Sequence, residues 1–142
     1  MNSYNGFSGA QRLRALEWVR PQYAAGTRER AKVCDACGQT EGVLDRHSED
    51  YSEPFGDHIG AYGLCYTCHM LVHCRFRSPQ AWHAYKTAVN GGATFPPMRS
   101  RNFRGIAESF LANRFPEPVW RDPPRRRVLD EIDSGQALRR SA

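Results

Sequence analysis

Five cysteines and five histidines supply most of the chemistry open to this 142-residue chain. Four of the cysteines form two close pairs, Cys34-Asp35-Ala36-Cys37 and Cys65-Tyr66-Thr67-Cys68. Two intervening residues let both sulfurs of a pair face one ion, and two such pairs complete the tetrahedral thiolate shell that zinc prefers. One structural zinc on Cys34, Cys37, Cys65 and Cys68 is therefore expected. The string Cys65-Tyr66-Thr67-Cys68-His69 also fits covalent haem attachment, but that chemistry follows export, no signal-peptide pattern is present, and the other pair would go unexplained. A redox pair of the thioredoxin kind lacks its βαβ setting. Cys74 is left over and is expected to pack as a small apolar group.

The stretch between and around the pairs is rich in loop residues and poor in apolar ones. Ordering it costs more than its own burial returns, whereas a structural zinc contributes an apparent ~10–16 kcal/mol. His69 and His73 follow the second pair at a separation of four, which places both imidazoles on one face of a helix. They suit a second metal ion, and equally suit hydrogen-bonding or packing duty around the first.

Ligand pair, hairpin, then ligand pair at a helix start is the order of a treble-clef zinc finger. The strings Arg46-His47-Ser48-Glu49-Asp50-Tyr51-Ser52-Glu53-Pro54 and Leu64-Cys65-Tyr66-Thr67-Cys68-His69-Met70-Leu71-Val72-His73 resemble the HNH (ββα-metal) endonuclease family, in particular its small zinc-containing members from phages and mobile elements. The resemblance covers about residues 31–77. It implies catalytic roles for His47, His69 and His73: a strand histidine that activates water or binds a catalytic metal, and two helix ligands. A second divalent metal on these three side chains follows. This chain departs from the family at the base, because Ser48 stands where a second histidine is usual, and a hydroxyl does not accept a proton near neutral pH. If His47 were itself the base, Arg46 would occupy the ligand position and repel the metal. Glu49, Asp50 and His58 are the nearby groups with a chemistry able to substitute.

The remaining elements must hold this core in place. Ser8 is a helix cap, and Leu13, Leu16 and Val19 predict a basic helix ended by Pro21, with a linker through residue 30. Residues 43–47 predict a strand and residues 48–57 a loop. Cys65 to Arg75 reads as a short helix. Ser78-Pro79 and Asn90-Gly91-Gly92 bound another, and Phe103, Ile106, Ala107, Phe110 and Leu111 carry the period of a third. Residues 116–142 read as a Pro- and Arg-rich tail, a stiff linker with a turn or two of helix near Val128 to Leu138. The organisation is thus 1–30, 31–77, 78–115 and 116–142, an α+β chain around a zinc core.

The formal net charge is +5, and its distribution is uneven. No acid lies between Leu71 and Arg104, while Glu41 to Asp57 is acidic apart from Arg46. Arg75, Arg77, Lys86, Arg101 and Arg104 are therefore the expected contacts to a phosphate backbone, since basic side chains supply most sequence-independent affinity for nucleic acid. DNA is the expected partner ahead of RNA. Trp82, Tyr85 and Phe103 interleave with these cations and suit either base stacking or a helical core. The rival function is a non-catalytic interaction module or inhibitor encoded by a mobile element, which uses the HNH-like scaffold and its acidic loop to dock on a protein or nucleoprotein. No apolar run is long enough to span a bilayer, and the close cysteine spacing suits a reducing, cytoplasmic compartment.

Overall fold

The computed structural model describes the backbone of residues 1–141 and the side chains of residues 1–135. It is a mixed α+β fold with two small antiparallel sheets. Helix α1 (Gly9–Ala24) is capped by Ser8, whose side chain accepts from Gln11 N while Gln11 returns a bond to Ser8 N. The helix does not stop at Pro21. Proline removes only one backbone donor, and so close to the end the turn still closes through Ala25 N to Pro21 O at 2.9 Å. Its buried face is Ala15 and Val19, whereas Leu13 of the expected stripe is exposed.

Strand β1 (Leu44–His47) pairs with β2 (Tyr62–Cys65) so that Leu44 faces Cys65 and His47 faces Tyr62. Strand alternation puts Asp45 and His47 on one side of the hairpin. The mouth of its long loop is closed by Ser48 Oγ, which accepts from Gly60 N at 2.6 Å. Helix α2 (Tyr66–Cys74) starts directly from β2, with the Cys65 sulfur accepting from Cys68 N. Helix α3 (Pro79–Asn90) has its proline in the first turn and buries Ala81, Trp82, Tyr85 and Val89.

The third helix of the sequence reading is shorter than its apolar period. α4 runs Ile106–Leu111, because Gly105 adopts a left-handed φ of 64° and sets the start there. Phe103 stays outside and largely exposed. The tail differs more. Residues 119–120 form β4 (Val119–Trp120) against β3 (Ala93–Thr94), and Arg121 N bonds Gly92 O at 2.8 Å. Gly92 has φ 109°, and a Cβ there would lie 2.0 Å from Arg121 O, so only glycine admits this crossing. Helix α5 (Val128–Ser141) is longer than the one or two turns expected. Ala142, the last residue of the expected tail, lies outside the described residues.

Val128, Leu129 and Ile132 join one core with Cys34, Leu64, Leu71, Val72, Tyr85 and Ile106. The segments 31–77, 78–115 and 116–142 thus share one interior. A second, smaller core holds Tyr4, Phe7, Ala15, Val19, Tyr51 and Ile59. Among the described residues no helix is long and apolar enough to cross a membrane. Leu129 is fully buried, so Leu129→Ala should lower unfolding free energy in urea by ~2–5 kcal/mol; an unchanged midpoint would show that α5 is not part of the core.

Candidate metal centres

The four paired cysteines converge. Their sulfurs lie within 4.8 Å of one another, with Cys37 Sγ 3.8 Å from Cys65 Sγ. Zn–S bonds of ~2.3 Å at tetrahedral angles place sulfurs about 3.8 Å apart, which is the spacing found. Both knuckles are built alike. Cys37 N donates to Cys34 Sγ and Cys68 N to Cys65 Sγ, each at 3.5 Å. Gly38, with φ 83°, closes the first turn by donating to Cys34 O at 2.8 Å. Asp35 fastens that turn to β2, its N donating to Gly63 O and its carboxylate accepting from Gly63 N, both at 2.8 Å.

Electrostatics point the same way. Hydrogen bonds from Cys37, Cys65 and Cys68 hold the Cys34 thiol well below its usual range. The bonds that Cys65 and Cys68 give to Cys34, with burial added, push their own thiols up. Four thiolates in this space would need a cation, and a soft divalent ion such as zinc would answer that need. Tyr85, fully buried, lies with its hydroxyl 3.0 Å from Cys68 Sγ. Burial raises the phenol far above its usual range, so it stays protonated and would donate to a metal-bound Cys68 thiolate. Nothing in the spacing of the sequence marked Tyr85 for this role. Cys74 is buried apart from the four, as expected, with Arg77 Nη2 donating to its sulfur at 3.3 Å.

His47, His69 and His73 form a second cluster, one ligand atom of each lying within 4.8 Å of the others. The strand end supplies His47 and one face of α2 supplies the other two. His69 Nε2 and His73 Nε2 are 3.1 Å apart, close to the ~3.3 Å that two Zn–N bonds of ~2.0–2.1 Å imply at a tetrahedral angle. Two of the rings carry a carboxylate. Asp45 Oδ2 is 3.4 Å from His69 Nδ1, and Glu49 Oε2 is 2.5 Å from His47 Nε2. A carboxylate on the outer nitrogen of a histidine is the usual way to fix a metal-ligating ring. Burial pushes His47 down to about 4 and His73 down to about 2, so both rings are neutral and their lone pairs are available. Three nitrogens leave a tetrahedral ion one open position, the mark of a site able to bind substrate or water.

The candidate bases separate clearly. Ser48 Oγ is engaged with Gly60 and His58 Nε2 with Ser52 O at 2.8 Å. Asp50 Oδ1 accepts from Ser52 N at 2.9 Å, and Glu49 touches the cluster through His47. Arg46 is not a member of the histidine cluster, and its guanidinium donates to Glu29 O.

The expected phosphate contacts are placed differently from the sequence reading. Arg75 is buried, 4% exposed, and its guanidinium donates to Glu49 Oε1 at 2.7 Å and to Tyr4 Oη at 2.6 Å, with Asp133 at 3.7 Å. It serves the interior. Lys86 is held by Asp130 and Asp133 of α5. Trp82 and Tyr85 belong to the core, and Trp82 Nε1 bonds Asp133. Arg77 and Arg104 remain exposed, and Arg101 pairs with Asp45 at 2.5 Å while staying mostly in solvent. A cleft of about 540 Å³ instead gathers Arg20, Arg30, Arg46 and Arg101, with His69 and Asp45 in its wall. Strand alternation from His47 to Asp45 was the available signal for Asp45; Arg20 and Arg30 join only through tertiary packing.

No family model, no curated protein and no solved structure matches this chain. The chemistry of its clusters therefore carries the functional reading. Tyr85→Phe removes one donor to a cysteine sulfur and should weaken metal retention by the cysteine site about 10–100-fold in chelator competition; equal retention would mean that the Tyr85 hydroxyl contributes nothing to that site.

Proposed function

We propose that the chain is a zinc-organised, HNH-like treble-clef protein that binds nucleic acid, DNA in the first instance, and hydrolyses phosphodiester bonds slowly at the histidine centre. The observation that carries this reading is the juxtaposition of His69 with four arginines around one cleft. Polyphosphate seated there would bring a backbone phosphate beside the open position of the three-histidine set. The order of knuckle, hairpin, knuckle and helix, with both helix histidines just past the second knuckle, supports the family reading.

In this scheme Cys34, Cys37, Cys65 and Cys68 hold a structural zinc, and His47, His69 and His73 hold a second divalent ion. Three imidazoles favour zinc or another transition metal over magnesium. When bound, that ion polarises a phosphate oxygen and lowers the pKa of water. Arg20, Arg30, Arg46 and Arg101 hold the backbone by charge. Glu49 and Asp45 fix the rings of His47 and His69. Ser48 is committed to the loop and takes no proton, so the general-base contribution, about 10²–10⁴-fold, is missing and turnover is slow.

The rival reading as an acidic docking module has less support. Two of its loop carboxylates are turned inward, Asp45 to Arg101 and Glu49 to Arg75, and the exposed ones, Glu41, Glu53 and Asp57, each lie near a cation of the protein itself.

Supercoiled plasmid incubated with the full chain in zinc, manganese or magnesium tests the proposal. Slow nicking that His69→Ala and His47→Ala abolish is expected. Arg46→Ala and Arg101→Ala should each weaken binding and lower the salt slope by about 1. A wild-type chain that carries two metals yet leaves the plasmid intact would rule out the hydrolytic role, and binding indifferent to salt would rule out the cleft.

A further inference from the structure

One wall of the histidine centre comes from the amino terminus, far in sequence from the zinc core. Tyr4 and Phe7 exchange two backbone hydrogen bonds of 2.9 Å around Asn5 and Gly6. The central residues have φ of 53° and 83°, the left-handed pair of a type I′ turn, for which Asn-Gly is the favoured sequence. Phe7 anchors the turn in the small core beside Tyr51. Arg12 of α1 stacks over both Tyr4 and Tyr51, 5.2 Å from each ring.

This turn drives Tyr4 into the centre. Its ring lies 4.6 Å from the His73 ring. Its hydroxyl donates to Glu49 Oε2, accepts from Arg75 Nη1 and lies 3.4 Å from His47 Nε2. Asn5 Nδ2 adds a bond to the main-chain oxygen of Glu49 at 2.7 Å. A single turn thus reaches two of the three histidines and the carboxylate that bonds one of them.

We infer that Tyr4 is a positioning residue of the histidine metal centre, so that the second ion is held firmly only when the amino-terminal turn is docked. The inference rests on the reading of His47, His69 and His73 as metal ligands. Without the phenol, the Glu49 oxygen that bonds His47 loses its second partner, while Arg75 and Asn5 Nδ2 stay on the other oxygen, so the carboxylate is less firmly set against His47. The Tyr4 ring also covers the His73 side, which leaves the His69 side, with its arginine cleft, as the approach to the ion. Outer partners of metal-ligating histidines act in this way generally.

Full-length wild type, Tyr4→Phe and Tyr4→Ala, each titrated with zinc and with cobalt against a chelator, provide the test. Wild type should hold two ions. Both variants should keep the cysteine-bound ion at wild-type affinity and the far-ultraviolet circular dichroism of the parent, while the second ion binds about 10–100-fold more weakly. A second ion held at wild-type affinity by both variants overturns the inference. Loss of both ions together in Tyr4→Ala, with Tyr4→Phe unchanged, also overturns it, since Tyr4 would then be a folding element alone. A wild-type chain that takes up only one ion instead overturns the reading of the three histidines as ligands.

Discussion

Four sulfurs within bonding distance of one point are the constraint on which the rest of the molecule is hung. The first knuckle carries no regular secondary structure, and the sheet beside it has only two strands. Apolar burial at this place is thin until α3 and α5 close over it. A divalent ion bound by four thiolates would supply the missing order, because it would join the turn at residues 34–37 to the end of β2 and the first turn of α2. Once Cys65 and Cys68 are fixed, the direction of α2 is fixed, and with it the face that carries His69 and His73.

The histidine cluster is a consequence of that direction. The hairpin register places His47 at the end of β1 and Asp45 two residues back on the same side. Charge is then balanced in the interior by pairs: Glu49 and Asp133 face the buried Arg75. Removing one partner from such a set leaves an uncompensated buried charge, which costs about 3–5 kcal/mol. The guanidinium that sequence reasoning sent to the surface is for this reason an internal strut between the loop after β1 and α5.

Legibility in the sequence follows the range of the interactions. The cysteine pairs, the helix that starts at the second pair, the strand before the loop and the proline-led α3 are local patterns, and they stand where the spacing put them. The coming together of His47 with His69 and His73 was legible through the family resemblance, with the four-residue helical spacing as independent support. What escaped depends on partners far along the chain. Two-residue strands β3 and β4 have no periodicity to detect, and the prolines of residues 116–124 disguise a strap as a linker. Val128, Leu129 and Ile132 are too few to announce a core helix without the surface that receives them. Runs of like charge misled for the same reason: Glu49 and Arg75 belong to runs of opposite sign, and the half-buried Glu49 pairs with the buried Arg75. Asn5-Gly6 was a readable turn signal, but nothing local says what its tyrosine touches.

The most direct measurement is native mass spectrometry of the full chain, paired with circular dichroism, before and after exposure to a strong chelator. A metal-organised fold predicts at least one zinc on the folded chain, held by the four cysteines, and loss of native signal when that ion is withdrawn. A chain that is metal-free as purified and keeps its native spectrum would contradict it.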